Sequence, residues 1–137
     1  MADYYGNGRT NYFPVKNAQA FKDDINKISG VEVISRRIDD TMMFGLVVTD
    51  DYGWPSTMHD EETDEYDDVD WEKLFKKHLR KGAVAVIQEV GSEKDRYYVG
   101  YSWAINSEGK TISLNINDIY TLIDNQALGK VFSFVEY

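Results

Sequence analysis

The sequence predicts an α+β domain, a mostly antiparallel sheet with three helices packed on it, in the order β-α-β-β, acidic loop, α-β-β-β-α-β. Three observations lead there. Three stretches repeat apolar residues at the three-and-four spacing of a helix face, several others alternate or run apolar as strands do, and the links between strands have hairpin length, which makes neighbouring strands antiparallel. At 137 residues, with 42% hydrophobic and 14% aromatic content, residues 1–137 fit a single domain that buries roughly two thirds of its unfolded surface.

The opening Tyr4 to Thr10, with Gly6 and Gly8, reads as an irregular arm leading to a short strand at Asn11 to Val15, placed at a sheet edge because Pro14 cannot donate to a ladder. Asn17 is a good N-cap for a first helix carrying Ala18, Phe21, Ile25 and Ile28, closed by Gly30. Val31 to Arg37 and Met42 to Thr49 form a hairpin around Asp39-Asp40, its second strand apolar enough to be covered on both faces. Asp50 to Val69 shows no sustained period and is expected to be a long acidic loop (50–69). The second helix places Trp71, Leu74, Phe75, His78 and Leu79 on one side and Lys73, Lys76, Lys77 and Arg80 on the other, with Asp68 or Asp70 as cap and Gly82 past the end. Ala83 to Val90 and Arg96 to Asn106 make another hairpin through Gly91-Ser92-Glu93-Lys94, and Tyr97, Val99, Tyr101, Trp103 and Ile105 alternate as the core side of its second strand. After Ser107 to Lys110, a strand with Ile112, Leu114 and Ile116 leads to Asn117, cap of a third helix whose apolar side is Ile119, Leu122, Ile123 and Ala127. Val131 to Tyr137 is expected to be a last strand.

Most catalytic chemistries find no residues here. Zero cysteines exclude a disulfide scaffold, thiolate metal sites and a cysteine nucleophile. Gly6-Asn7-Gly8 lacks the third glycine and preceding strand of a dinucleotide fingerprint. A calcium hand beginning at Asp60 would need glycine where Glu65 stands and a bidentate glutamate where Trp71 stands. The two histidines, His59 in the acidic loop and His78 on the apolar side of the second helix, have no ligand spacing between them, and no Gly-x-Ser-x-Gly elbow occurs. No catalytic residue, no metal site and no cofactor are therefore expected. The N-terminus has no basic-then-apolar signal and no stretch approaches the length of a membrane span, so the chain is read as cytoplasmic, with no membrane partner.

Charge is the most informative feature. Of 24 carboxylates, eleven lie between Asp50 and Glu72 with no lysine or arginine among them; the other 13 are outnumbered by the 15 Lys and Arg, so this one segment holds the entire negative excess of a chain whose net charge is −9. Asp60 to Asp70 carries eight carboxylates in eleven residues. The plain reading is a solvated loop that keeps the chain soluble. The sharper reading is an electrostatic decoy: fully extended, the run would span at most about 36 Å, a charge density of the order of DNA, with its one charge per roughly 1.7 Å of axis. The aromatic side of the Tyr97 strand is assigned to the core, because a platform that stacks bases needs a basic surround to hold phosphates.

Thr10-Asn11-Tyr12-Phe13 with Val15-Lys16, Gly53-Trp54-Pro55-Ser56, Glu89 through Tyr97 with Gly100-Tyr101, and the terminal Glu136-Tyr137 together resemble small acidic proteins encoded on bacterial phages, plasmids and integrative elements. The similarity covers most of the chain. It supplies no catalytic residues. It implies a context of anti-defence genes, a class that includes antirestriction and anti-CRISPR proteins, some of which mimic DNA. The combined expectation is a non-enzymatic inhibitor that binds the basic cleft of a nucleic-acid-handling defence enzyme and does not itself bind nucleic acid. The partner-binding residues would be Asp60, Glu61, Glu62, Asp64, Glu65, Asp67, Asp68 and Asp70, with Trp54 and Tyr66 as anchors. An immunity protein or antitoxin using the same acidic surface against a toxin is the alternative, and a small-ligand binder or enzyme with a pocket above the aromatic strand is the third reading.

Overall fold

The computed structural model describes residues 4–93 and 97–135. Along the chain run β1 (Tyr4–Thr10), α1 (Ala18–Asn26), β2 (Val31–Ile38), β3 (Thr41–Val48), β4 (Thr57–Asp60), β5 (Glu65–Asp68), α2 (Trp71–His78), β6 (Val84–Glu93), β7 (Tyr97–Asn106), β8 (Thr111–Asn115) and α3 (Asp118–Asn125). Six strands form one sheet in the order β2-β3-β1-β6-β7-β8, every ladder antiparallel, while β4 and β5 pair only with each other. The α+β architecture is the one the sequence predicts.

Several boundaries differ, each for a physical reason. The glycine-containing arm is not irregular: as β1 it pairs with β6 from Tyr4↔Glu93 to Thr10↔Ile87 and sits in the middle of the sheet. Its glycines admit neighbours that a side chain would displace, since a Cβ on Gly8 would lie 2.6 Å from Trp54 Nε1 and one on Gly6 would lie 2.5 Å from the Tyr4 hydroxyl. The strand expected at Asn11 to Val15 is reduced to two isolated bridges, Phe13↔Phe44 and Val15↔Leu79, on either side of the donor-less Pro14. The acidic loop contains the β4–β5 hairpin. Gly91 to Glu93, expected in the turn, continue β6; Lys94, Asp95 and Arg96 lie outside the described residues. The last strand is not formed over 131–135, and Glu136 and Tyr137 also lie outside the described residues.

The core lies on one face of the sheet, beneath α1 and α2. Asn17 accepts from the Ala20 N–H at 2.9 Å to start α1, which buries Phe21 and Ile25. Asp39 and Asp40 both take positive φ, as a tight two-residue hairpin turn requires, and set β2 against β3 from Ile38↔Thr41 onward. Phe44 and Leu46 of β3, Ala85 and Ile87 of β6 and Ile105 of β7 face the helices, and Phe13 meets Phe21 and Phe75 edge-on with ring centroids 5.8 Å apart. Trp103 leans on Phe75 at 5.9 Å, whereas Tyr97 and Val99, nearer the open end of β7, are exposed. His78 is a core residue, as its place on the helix predicts: it is 3% exposed and its Nε2 lies 2.6 Å from Asp24 Oδ2 on α1. The third helix behaves differently, because none of its residues is buried.

Candidate functional site

The acidic segment is a clamped hairpin. Gly53 turns the chain with a φ of +80°, and a Cβ there would collide with the Glu89 carboxylate. Glu89 is a buried carboxylate on the core side of β6, and its oxygens accept from the Trp54 N–H and the Tyr4 hydroxyl, both at 2.7 Å. Burial, and then the Glu89 carboxylate, raise the Tyr4 hydroxyl well above its ordinary pKa; the same two influences push Tyr101 up to about 12. Both phenols stay protonated donors.

Trp54 then locks the base. Its Nε1 donates to the Gln88 carbonyl at 3.0 Å and its ring meets Trp71, the first residue of α2, edge-on at 5.3 Å. Trp71 Nε1 donates to the Pro55 carbonyl at 2.9 Å, and the Val69 N–H donates to the Ser56 carbonyl at 2.8 Å, so both ends of the hairpin are tied together. Beyond this clamp β4 and β5 pair from Thr57↔Asp68 to Asp60↔Glu65. At the tip the Asp64 N–H donates to the Asp60 carbonyl, the Glu62 N–H donates to Asp60 Oδ1, and Asp64 takes a positive φ that an aspartate tolerates. His59 Nε2 lies 2.8 Å from Asp64 Oδ1, with the His59 ring 5.0 Å from that of Tyr66.

The structure brings seven of the eight expected carboxylates onto this one element, and Asp70 follows it beyond the Ser56–Val69 clamp. Glu61, Glu62, Asp64, Glu65, Asp67, Asp68 and Asp70 are exposed and Asp60 is half-buried. Asp70 has a second task as N-cap of α2, accepting from the Lys73 N–H at 3.0 Å. Asp60, Glu61, Glu62, Asp64 and Glu65 cluster at the tip and Asp67 and Asp68 follow along β5, so an element that at about 3.4 Å per residue is roughly 14 Å long carries seven carboxylates, a mean charge density of the order of duplex DNA but concentrated at one end. Tyr66 projects from β5 with 73% of its surface exposed, as does Tyr52 before Gly53. Trp54 is placed otherwise than an anchor requires, because its ring is spent inside the clamp. A groove of about 640 Å³ separates Met58, His59 and Asp60 from Asp23, Asn26 and Lys27 of α1.

Glu89, Gly53 and Tyr4, which hold the hairpin, escaped the sequence reading. One signal was present, since Ala85, Ile87 and Glu89 alternate toward the core and a carboxylate in such a position needs donors. Beside the clamp, Asp24 joins α1 to α2: Lys77 donates to its Oδ2 at 2.8 Å and His78 contacts the same atom. The Lys77 hydrogen bond, with that of His78, holds the Asp24 carboxyl at about 2, against the opposing effect of burial. Among the described residues no cluster of three or more His, Asp or Glu is arranged to hold a metal ion, and no helix is long and apolar enough to cross a membrane. Comparison with known proteins finds no matching family model, no matching curated protein and no matching solved structure.

Proposed function

We propose that this chain is a non-enzymatic inhibitor that occupies the basic, nucleic-acid-binding cleft of a partner protein, its acidic hairpin standing in for a phosphate backbone. The observation that carries this reading is the concentration of seven carboxylates on a short two-stranded element clamped at its base. A mobile acidic tail would lose conformational entropy on docking; a hairpin whose ends are fixed by Trp54, Trp71 and Glu89 loses less, so more of the Coulombic attraction survives as affinity. Tyr66, exposed among the carboxylates, supplies an aromatic contact of the kind that carries interface energy. The resemblance to proteins of mobile elements supports a nucleic-acid-handling defence enzyme as the partner.

The test begins with a nucleic-acid-handling partner captured from a bacterial lysate on immobilised protein. Glu61, Glu62, Glu65 and Asp67 accept none of the hydrogen bonds that shape the tip, so Glu61→Gln, Glu62→Gln, Glu65→Gln and Asp67→Asn together should change folding stability by less than about 0.5 kcal/mol. The same variant should bind the partner at least about tenfold more weakly and with a shallower salt dependence. DNA should compete with the wild-type protein. A partner that holds DNA and this protein at once, or binds the neutralised variant as tightly, overturns the reading; capture of a toxin with no nucleic-acid cleft replaces it with the immunity-protein alternative.

A further inference from the structure

The six-stranded sheet has two open edges, and they differ in chemistry. The β2 edge carries Glu32, Arg36 and Arg37, charges that discourage another strand from pairing there. The β8 edge, Thr111-Ile112-Ser113-Leu114-Asn115, has no charge, no proline and no bulge. The Ile116 N–H donates to the Gly100 carbonyl, so by the alternation of an antiparallel ladder Ile112 and Leu114 direct their backbone groups to β7 while Thr111 and Ser113 direct theirs outward. On the sheet face opposite the core, Ile112 is 70% exposed and Leu114 61%. Ile116, Ile119 and Leu122 continue this apolar surface onto α3, around a groove of about 420 Å³. Residues 111–125 carry only two charges, Asp118 and Asp124, in a chain of net charge −9.

We infer that the β8 edge and α3 form a self-association surface whose occupant is a second copy of this chain, paired antiparallel about a two-fold axis through Ser113. The strand is complementary to itself in that register. Ser113 meets Ser113, Ile112 meets Leu114 of the other copy, and Thr111 meets Asn115. The apolar residues fall at a non-hydrogen-bonded pair, where side chains approach most closely. Asn115 already donates its N–H to Asp118 Oδ2, and the pairing asks only its carbonyl for a further bond, so about four interchain hydrogen bonds form without breaking that contact. Ile112, Leu114, Ile116, Ile119 and Leu122 together expose on the order of 500 Å² per copy, more than an ordinary monomer leaves in one place and the larger part of the roughly 800 Å² each partner gives to a stable interface. The acidic hairpin is anchored on β1, β6 and α2, so the pairing leaves it free and yields one twelve-stranded sheet bearing two acidic hairpins.

Sedimentation velocity across the micromolar range should show a dimer for the wild-type protein. Leu114→Lys, at an exposed position, should retain the wild-type circular dichroism melt and raise the dimer dissociation constant at least about tenfold. Because the chain has no cysteine, Ser113→Cys provides a second reading that needs no destabilised variant: across a hydrogen-bonded antiparallel pair the two Cα atoms lie about 5.5 Å apart, within disulfide range, and oxidation should give a covalent dimer. Ser35→Cys on the charged β2 edge should give none. A protein that stays monomeric throughout overturns the inference, as does a dimer that tolerates Leu114→Lys and fails to cross-link through Ser113→Cys.

Discussion

Helices α2 and α3 are both eight residues long and both carry apolar side chains at three-and-four spacing, yet α2 buries Phe75 and His78 while α3 buries nothing. The difference lies in what each helix finds in front of it. α2 enters through Trp71, pinned by Trp54, and leaves through Leu79, bridged to Val15, so its apolar side is held over the middle of the sheet. α3 follows the edge strand β8 after only Ile116 and Asn117, with its apolar side, Ile119 and Leu122, left in solvent. An amphipathic pattern thus specifies a helix without specifying its cover. The same contrast separates two exposed surfaces: the acidic hairpin is held by buried partners, whereas α3, among the described residues, meets the exposed tail through Tyr120 stacked on Phe132 and Phe134 and leaves Ile119 and Leu122 half exposed.

The largest test of this contrast deletes the two apolar faces in turn. Phe75→Ala should cost about 3–5 kcal/mol of folding stability in a urea titration, and Leu122→Ala, measured at dilution, less than about 0.5 kcal/mol. Comparable losses would mean that α3 is as well packed as α2. A smaller effect is expected at the clamp. Gly53→Ala forces a side chain into positive φ and against the buried Glu89 carboxylate, and should cost about 2 kcal/mol with a change in tryptophan emission as Trp54 leaves its site. An unchanged emission spectrum would show that Gly53 does not position the hairpin.

The smallest effect is the most specific to pH. Asp24 is held at about 2 when folded, below its ordinary 3.8, so its contribution is fully present above about pH 4 and is lost as pH falls toward 2. Asp24→Asn should therefore be less stable than wild type by about 1 kcal/mol at neutral pH, a difference that closes in acid. A constant difference across that range would assign the loss to packing rather than to the Lys77–Asp24–His78 contacts.

Local chemistry made much of the fold legible. Asn17 and Asp70 are caps because their side chains reach a nearby backbone N–H, and Phe21, Ile25, Phe75 and His78 recur at helical spacing; these features depend on neighbours only a few residues away. The charge of the 50–69 segment was equally plain, since composition alone assigns it. Tertiary structure decided what depends on distant partners. The arm at Tyr4 to Thr10 became a central strand because glycines at 6 and 8 give room to Tyr4 and Trp54, a requirement visible only once β6 lies alongside. The acidic loop became a hairpin because Glu89, 35 residues beyond Trp54, accepts its N–H, and because the Trp54–Trp71 contact brings the hairpin's two ends together. Mutual repulsion among the carboxylates between Asp50 and Glu72 favours an extended chain, and burial of the Glu89 carboxylate among Tyr4, Tyr101 and the Trp54 N–H is what ties the base of the hairpin against it.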